Sequence, residues 1–163
     1  MVAFGVAVAR VTQPYRVAGR RAPAPAGHLD EAWIDVLAVV RETVPAVPLL
    51  VGGRSSGARV ACRTAHVVGA VGVVALAFPT HPPGKPERTR SDELPTDLPT
   101  LVLNGDRDPF GIPSGYPAGT ELRVISGADH GLKKFGAVVA EHVLDWLRRR
   151  GWAQQFVDPA GDA

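Results

Sequence analysis

The stretch Pro48–Gly57 constrains the fold of this chain more than any other, because it joins a buried strand to a helix through a glycine-rich turn. Pro48–Val51 is apolar and β-prone, and Ala58–Ala65 is typical of the start of a helix. Between them lies Gly53–Gly57, which has the pattern Gly-x-Ser-x-Gly. On such a turn the serine takes a strained backbone conformation, and its hydroxyl projects above the edge of the sheet.

Two interpretations of this turn are open. In the catalytic one, Ser55 is a nucleophile, and Gly53 and Gly57 are needed because backbone segments approach too closely for a Cβ atom and because the turn can demand a positive φ. In the structural one, the turn is a loop in which Ser55 or Ser56 caps the following helix. The rest of the chain favours the catalytic interpretation.

Strand-like and helix-like segments alternate along the chain. This alternation predicts an α/β fold, with a mostly parallel sheet of about five strands and helices on both faces. The predicted strands are Gly5–Val11, Leu49–Val51, Val68–Phe78, Thr100–Asn104 and Glu121–Ser126. The predicted helices are Leu29–Thr43, Gly57–His66 and Phe135–Arg150. We expect one domain over residues 1–150 and a loose tail over residues 151–163.

Charge and composition exclude several classes of function. A formal net charge of +2 is too small to indicate a nucleic acid or a membrane as partner. No apolar run approaches the ~20 residues that span a bilayer, and the apolar segment Val2–Ala9 lacks the basic residues that precede a signal peptide core. The single cysteine, Cys62, excludes an internal disulfide, so the sequence indicates a cytoplasmic protein. No His, Cys or Asp cluster has the spacing of metal ligands, and we expect neither a metal nor an organic cofactor.

Three of the predicted strands are followed by residues that suit nucleophilic catalysis. Ser55 follows the second strand, Asp106 and Asp108 follow the fourth, and His130 follows the fifth. Because the carboxyl ends of parallel strands lie along one edge of a sheet, these side chains are expected to meet. A serine hydroxyl needs a base to accept its proton, and an imidazole oriented by a carboxylate provides one.

These motifs, in this order, resemble those of the α/β-hydrolase superfamily over roughly Gly5 to Arg150. They are most similar to small dienelactone-hydrolase-like proteins, especially the hydrolase-like domain of testis-expressed and NSL-complex-subunit proteins and their bacterial relatives. The residues that carry the resemblance are Gly52–Gly57, His81–Glu87, Asp108–Gly111 and Asp129-His130.

The resemblance implies a serine hydrolase that transfers an acyl group from a small ester-type substrate to water. It implies that Ser55 is the nucleophile, His130 the base and Asp108 the acid that orients the base. The backbone N–H of Ser56 would then donate to the oxyanion. The candidate pocket residues are Arg54, His81, Lys85 and Phe110.

Each of these assignments has an alternative. Asp106 competes with Asp108 as the acid, or it caps the turn after the strand. His130 is either the base or a loop residue held by Asp129.

Two polar segments are also open to two interpretations. The arginines at positions 16, 20 and 21 either clamp an acidic substrate or belong to a solvated loop. The His81–Arg90 segment forms one wall of a pocket, or it is a rigid polyproline-like connection.

The resemblance also predicts segments that this sequence lacks. No His-Gly-Gly-type loop precedes Ser55, so a second oxyanion donor is missing. The strand expected between Gly5–Val11 and Leu49–Val51 is missing too, so these two strands would pair directly or leave a gap for another chain. Three hypotheses follow: the native protein starts upstream of Met1, the short chain is a non-catalytic binding or scaffold module, or it forms a homodimer through an exposed sheet edge.

Overall fold

The computed structural model describes residues 4–44 and 46–154 of the chain. Within them, four parallel strands form one sheet in the order β1-β2-β3-β4. The strands are β1 (Leu50–Arg54), β2 (Gly72–Leu76), β3 (Thr100–Gly105) and β4 (Thr120–Ile125). The helices are α1 (Pro14–Val17), α2 (Ala26–Thr43), α3 (Ser56–Thr64) and α4 (Gly136–Arg149), with 3-10 turns at Ser91–Glu93 and Lys133–Phe135.

Alternating side chains of the strands supply two apolar cores, one on each face of the sheet. Val51, Val73 and Val102 pack in a cluster with residues of α2 and α3. Leu101 and Leu103 pack on the other face, in a cluster with Trp146 of α4. All six residues of β3 are buried, as expected for a parallel strand covered on both faces. The predicted α/β architecture with helices on both faces is confirmed.

The predicted first strand, Gly5–Val11, is not formed. Its residues have no regular secondary structure beyond a turn at Gly5, and Val8 is 57% exposed. Within the described residues β1 pairs only with β2, so the direct pairing of Gly5–Val11 with β1 is also wrong. The physical reason is that an apolar run becomes a strand only when its N–H and C=O groups find a neighbouring strand.

Two further boundaries differ from the prediction. The apolar run Val68–Phe78 contributes only Gly72–Leu76 to the sheet, because its first residues form the turn that leaves α3 and Ala77 has a φ of 46°. Two residues of the expected tail, Trp152 and Ala153, are packed against the core: the Trp152 ring lies edge-on to Trp146, with centroids 5.4 Å apart. Residues 155–163 of that tail, and Met1–Ala3, lie outside the described residues.

None of the helices in the described part of the chain has the length and apolar character needed to cross a membrane.

Asn104 ties the ends of β2 and β3 together. Its side chain is fully buried; its Oδ1 accepts from the Phe78 N–H at 2.8 Å, and its Nδ2 donates to the Phe78 carbonyl at 2.9 Å. Nδ2 also donates to the carbonyl of Gly111 at 3.0 Å. One amide therefore fixes the loop after β2 against the loop after β3.

Replacing Asn104 should destabilise the fold. In Asn104→Ala, the buried N–H and carbonyl of Phe78 and the partly buried carbonyl of Gly111 lose their partner, and the loss of each buried partner costs about 1–3 kcal/mol. We expect urea unfolding to give a free energy of unfolding lower by about 3 kcal/mol. Thr100→Val is a control on the same strand, because the buried Thr100 donates one hydrogen bond, to Leu98; its loss should be about 1 kcal/mol. Equal losses in the two variants would contradict the role given to Asn104.

Candidate active site

Ser55 lies on a sharp turn between β1 and α3. Its φ of 56° and ψ of −116° are outside the regions that residues with a side chain ordinarily occupy. The backbone is held there because the Ser55 N–H donates to the carbonyl of Leu76 at 2.9 Å and its carbonyl accepts from the Arg59 N–H at 3.2 Å. Ser55 occupies the N-cap position of α3, but its hydroxyl makes no capping bond to the helix. The capping interpretation of Ser55 is therefore wrong.

The two glycines of the turn have different roles. A Cβ atom on Gly53 would lie 2.5 Å from the carbonyl carbon of Gly57, a distance that no real Cβ adopts. A Cβ atom on Gly57 would have only the Nε2 of Gln13 nearby, at 4.0 Å. The expected steric need is thus met at Gly53 but not at Gly57, because only the Cβ direction of Gly53 points into the turn. The positive φ falls on Ser55 and on neither of these glycines.

Ser55, His130 and Asp108 form a continuous chain of hydrogen bonds. The Nε2 of His130 lies 2.8 Å from the Oγ of Ser55, and its Nδ1 lies 2.8 Å from Oδ2 of Asp108. A carboxylate only accepts, so this contact favours the tautomer with the proton on Nδ1 and a lone pair on Nε2 facing the serine. The Asp108 side chain has 0% exposure and that of His130 has 24%. The imidazole of His130 is therefore accessible to solvent, while the Asp108 carboxylate is shielded.

Asp106 and Asp129, the carboxylates of the alternative assignments, bind other groups. Asp106 accepts from the Gly127 N–H at 2.7 Å and from the Ser126 hydroxyl at 3.1 Å, so it caps the turn after β4. Asp129 accepts from the N–H of Gly131 at 2.8 Å, and His130 is held by Asp108 instead.

Three of the four predicted pocket residues lie at this site. The Phe110 ring is 4.3 Å from the His130 ring, and the Phe110 N–H donates to Oδ1 of Asp108 at 2.9 Å. The exposed Arg54 donates to the carbonyl of Gly131 at 2.7 Å, which fixes the loop beyond His130. His81 lies against Gly111 in the loop after β3. A Cβ atom added to Gly111 would be 2.9 Å from the Nε2 of His81.

Lys85 is exposed, and its side chain has no hydrogen bond or ion pair with any residue in the described ranges. The structure therefore does not bring it to the site. The arginines in and just after helix α1 are exposed as well, in agreement with a solvated segment: Arg16, Arg20 and Arg21.

Two residues that sequence reasoning did not single out hold the loop after β3, which carries Asp108, in place. The N–H and hydroxyl of Thr80 both donate to the carbonyl of Phe110, at 3.0 and 2.7 Å. The Nδ2 of Asn104 donates to the carbonyl of the next residue, Gly111. The only signal for Asn104 was a polar residue at the end of an apolar strand, and nothing in the sequence marks Thr80.

The site combines a hydroxyl, an imidazole and a carboxylate, and no metal ligands are grouped near them in the described residues. Within residues 4–44 and 46–154, no three His, Cys, Asp or Glu side chains are grouped so that they could hold a metal ion. Burial raises the pKa of the Cys62 thiol to about 12, and the negative charge of Glu93 acts in the same direction. Cys62 is therefore protonated at neutral pH and is not a competing nucleophile.

Comparisons with known proteins agree with this fold. The model of a family described as an alpha/beta hydrolase domain matches residues 1–149. A solved α/β serine hydrolase homologue from Coxiella burnetii is 19% identical, with a TM-score of 0.59; the match covers 80% of this chain and 62% of that one. An α/β serine hydrolase without a lid from Xanthomonas campestris is 18% identical, with a TM-score of 0.60 and coverage of 80% and 61%.

A more distant likeness is to an S-formylglutathione hydrolase from Agrobacterium tumefaciens, at 15% identity and a TM-score of 0.50, covering 71% of this chain and 55% of that one. At these identities the likeness shows the fold alone. This chain spans less than two thirds of the length of each of these three structures. No curated protein matches the sequence significantly.

The difference between the two turn glycines can be tested by stability. Gly53→Ala should lower the free energy of unfolding by about 1–3 kcal/mol, because its Cβ meets backbone that cannot move aside cheaply. Gly57→Ala should leave it unchanged or raise it by about 0.5–1 kcal/mol, because alanine is preferred to glycine within a helix. Urea unfolding of the two variants measures both. A Gly57→Ala variant as unstable as Gly53→Ala would contradict this account of the turn.

Proposed function

The chain belongs to the alpha/beta hydrolase domain family, and we propose that it is a serine hydrolase that transfers an acyl group from a small ester-type substrate to water. The observation that supports this most directly is the hydrogen-bonded chain from Ser55 through His130 to the buried Asp108. It lies at the carboxyl ends of β1, β3 and β4, where parallel α/β sheets place their sites.

In the proposed mechanism, Ser55 Oγ attacks the ester carbonyl while Nε2 of His130 takes its proton. The imidazolium that forms is stabilised by the Asp108 carboxylate and then protonates the leaving alcohol. A water molecule, deprotonated by the same Nε2, then attacks the acyl-serine. The imidazolium gives its proton to Ser55 Oγ as this leaves, which releases the acid and restores the serine hydroxyl. Phe110 limits the rotation of the imidazole throughout, since its ring packs against that of His130.

One donor for the oxyanion is available in the proposed site. Ser56 is the first residue of α3, so its N–H has no carbonyl partner within the helix and lies at the positive end of the helix dipole. The second donor of this family's usual pattern has no counterpart before Ser55 in the sequence. Removal of one such donor costs about 10²–10³ in rate, so we expect a slow hydrolase.

That single donor favours a second candidate, a non-catalytic hydrolase-fold module that binds a partner or a ligand. The two candidates differ in the state of Ser55, which is an activated nucleophile only in the first.

Within the superfamily, we propose kinship with dienelactone-hydrolase-like proteins and with the testis-expressed and NSL-complex-subunit group. We also propose a cytoplasmic location, since the one thiol is unpaired and buried.

Covalent labelling with a fluorophosphonate separates the two candidates. We expect the wild-type chain to be labelled and Ser55→Ala to be unlabelled, with circular dichroism showing that both are folded. Asp108→Asn should slow labelling by about 10²–10⁴-fold, because the imidazole loses the carboxylate that fixes its tautomer. The matched control is Asp106→Asn, which should label at close to the wild-type rate because Asp106 only caps a turn. A folded, unlabelled wild type would support the binding module.

We also propose that the chain forms a homodimer through β1. The N–H of Val71 donates to the Leu49 carbonyl, and the N–H of Ser55 donates to the Leu76 carbonyl. By the alternation of a parallel ladder, the backbone groups of Leu50, Gly52 and Arg54 then face away from β2. Within the described residues no strand pairs with them, so two copies of β1 can pair about a two-fold axis.

Sedimentation over a range of concentrations tests the dimer. Val47 precedes β1 and is 53% exposed, so Val47→Lys should shift the equilibrium towards monomer, because a lysine at the end of an edge strand resists burial against a second chain. Val67→Lys is the control, since Val67 is 70% exposed in the turn after α3. A wild type that is monomeric at all concentrations, or equal effects of the two variants, would contradict the dimer.

A further inference from the structure

Four arginines lie together beside α3, and we call them the arginine cluster: Arg59, Arg63, Arg88 and Arg90. Two acidic side chains neutralise half of it. Glu93 is bound by Arg59 through two hydrogen bonds and by Arg63 at 3.1 Å. Asp30 of α2 is bound by Arg63 through two more, at 2.8 and 2.6 Å.

The other two arginines have no acidic partner. Within residues 4–44 and 46–154, neither Arg88 nor Arg90 forms an ion pair or a side-chain hydrogen bond. Arg90 is only partly exposed. Its pKa is lowered by burial first and then by repulsion from Arg59; attraction to Glu93 opposes this, and Arg88 and Arg63 add further repulsion. The cluster thus holds a partly buried guanidinium beside other arginines, and within the described residues its five N–H donors are not used.

Two residues of the cluster have backbone hydrogen bonds to the surroundings of the proposed active site. Arg59 is in the first turn of α3, where its backbone N–H donates to the carbonyl of Ser55 at 3.2 Å. The backbone N–H of Arg90 donates to the carbonyl of Thr80 at 2.8 Å. Thr80 in turn binds Phe110, whose ring packs on His130.

We propose that Arg90, with Arg59 beside it, binds an anionic group of the substrate, a carboxylate or a phosphate, and so makes the enzyme selective for anionic esters. The proposal rests on the proposed hydrolase function. Guanidinium forks match the oxygen pairs of both anions. Arg59 retains its Nη1 for such a group, because Glu93 occupies its Nε and Nη2. An anion bound there would also replace the repulsion on Arg90 with attraction.

Paired esters test this selectivity. The probes are 4-nitrophenyl monoesters of succinic and adipic acid with a free carboxylate, each compared with the same ester methylated at that carboxylate. We expect kcat/KM of the wild type to be at least tenfold higher for the free acid of one pair, and the ratio to fall with added salt. In Arg90→Gln the free acid should lose at least ten times more kcat/KM than its methylated partner. Arg123→Gln, which removes the same charge on the distant edge strand β4, should keep the wild-type ratio.

The outcomes separate this proposal from the hydrolase function. Turnover of all four esters with a free-to-methylated ratio near one, or equal losses in Arg90→Gln, would overturn the anion site and leave the hydrolase standing. If no ester is turned over, the anion site is tested by NMR of the arginine Nε–Hε groups in Ser55→Ala during titration with succinate and with phosphate. A saturable shift at Arg90 supports it, and the tighter of the two ligands identifies the anion. No shift with either would overturn it.

Discussion

The rest of the site depends on the strained backbone of Ser55. A φ of 56° costs about 1–3 kcal/mol for a residue with a side chain, and it persists because both neighbouring elements hold it. On one side the Ser55 N–H binds β2 through the Leu76 carbonyl, and on the other its carbonyl receives the Arg59 N–H of α3. Gly53 allows β1 and the first turn of α3 to touch, which no other residue would. This conformation turns the hydroxyl away from the helix, and towards His130.

Asp108 and His130 reach that hydroxyl on loops after β3 and β4, and two polar side chains hold the loop that carries Asp108. Asn104 binds the loop after β2 and the loop after β3 with one buried amide. Thr80 adds two hydrogen bonds from the first loop to Phe110 in the second. Phe110 then contacts both partners, since its N–H binds Asp108 and its ring packs on His130. The orientation of the imidazole is thus determined by loop residues that the buried Asn104 amide fixes to the end of the sheet.

The sequence predicts those parts of the fold that local chemistry determines. The apolar run before Gly53 and the residues after β3 and β4 were enough to predict that Ser55, Asp108 and His130 lie together, because strand ends in a parallel sheet share one edge. Gly5–Val11 shows the limit of such reasoning: its apolar character suits a strand, but pairing depends on a neighbour that the run itself does not specify. The separate roles of Gly53 and Gly57, and the ion pairs of Arg59 and Arg63 with Glu93, depend on three-dimensional approach and have no signature along the chain.

We propose that Asp108 sets the tautomer of His130 so that Nε2 can take the proton of Ser55. Two-bond ¹H–¹⁵N correlation spectra of the histidine side chains measure that tautomer without any substrate. We expect the proton of the neutral tautomer to be on Nδ1 in the wild type, and this preference to be lost in Asp108→Asn but not in Asp106→Asn. A proton on Nε2 in the wild type, or a tautomer that does not change in Asp108→Asn, would contradict it.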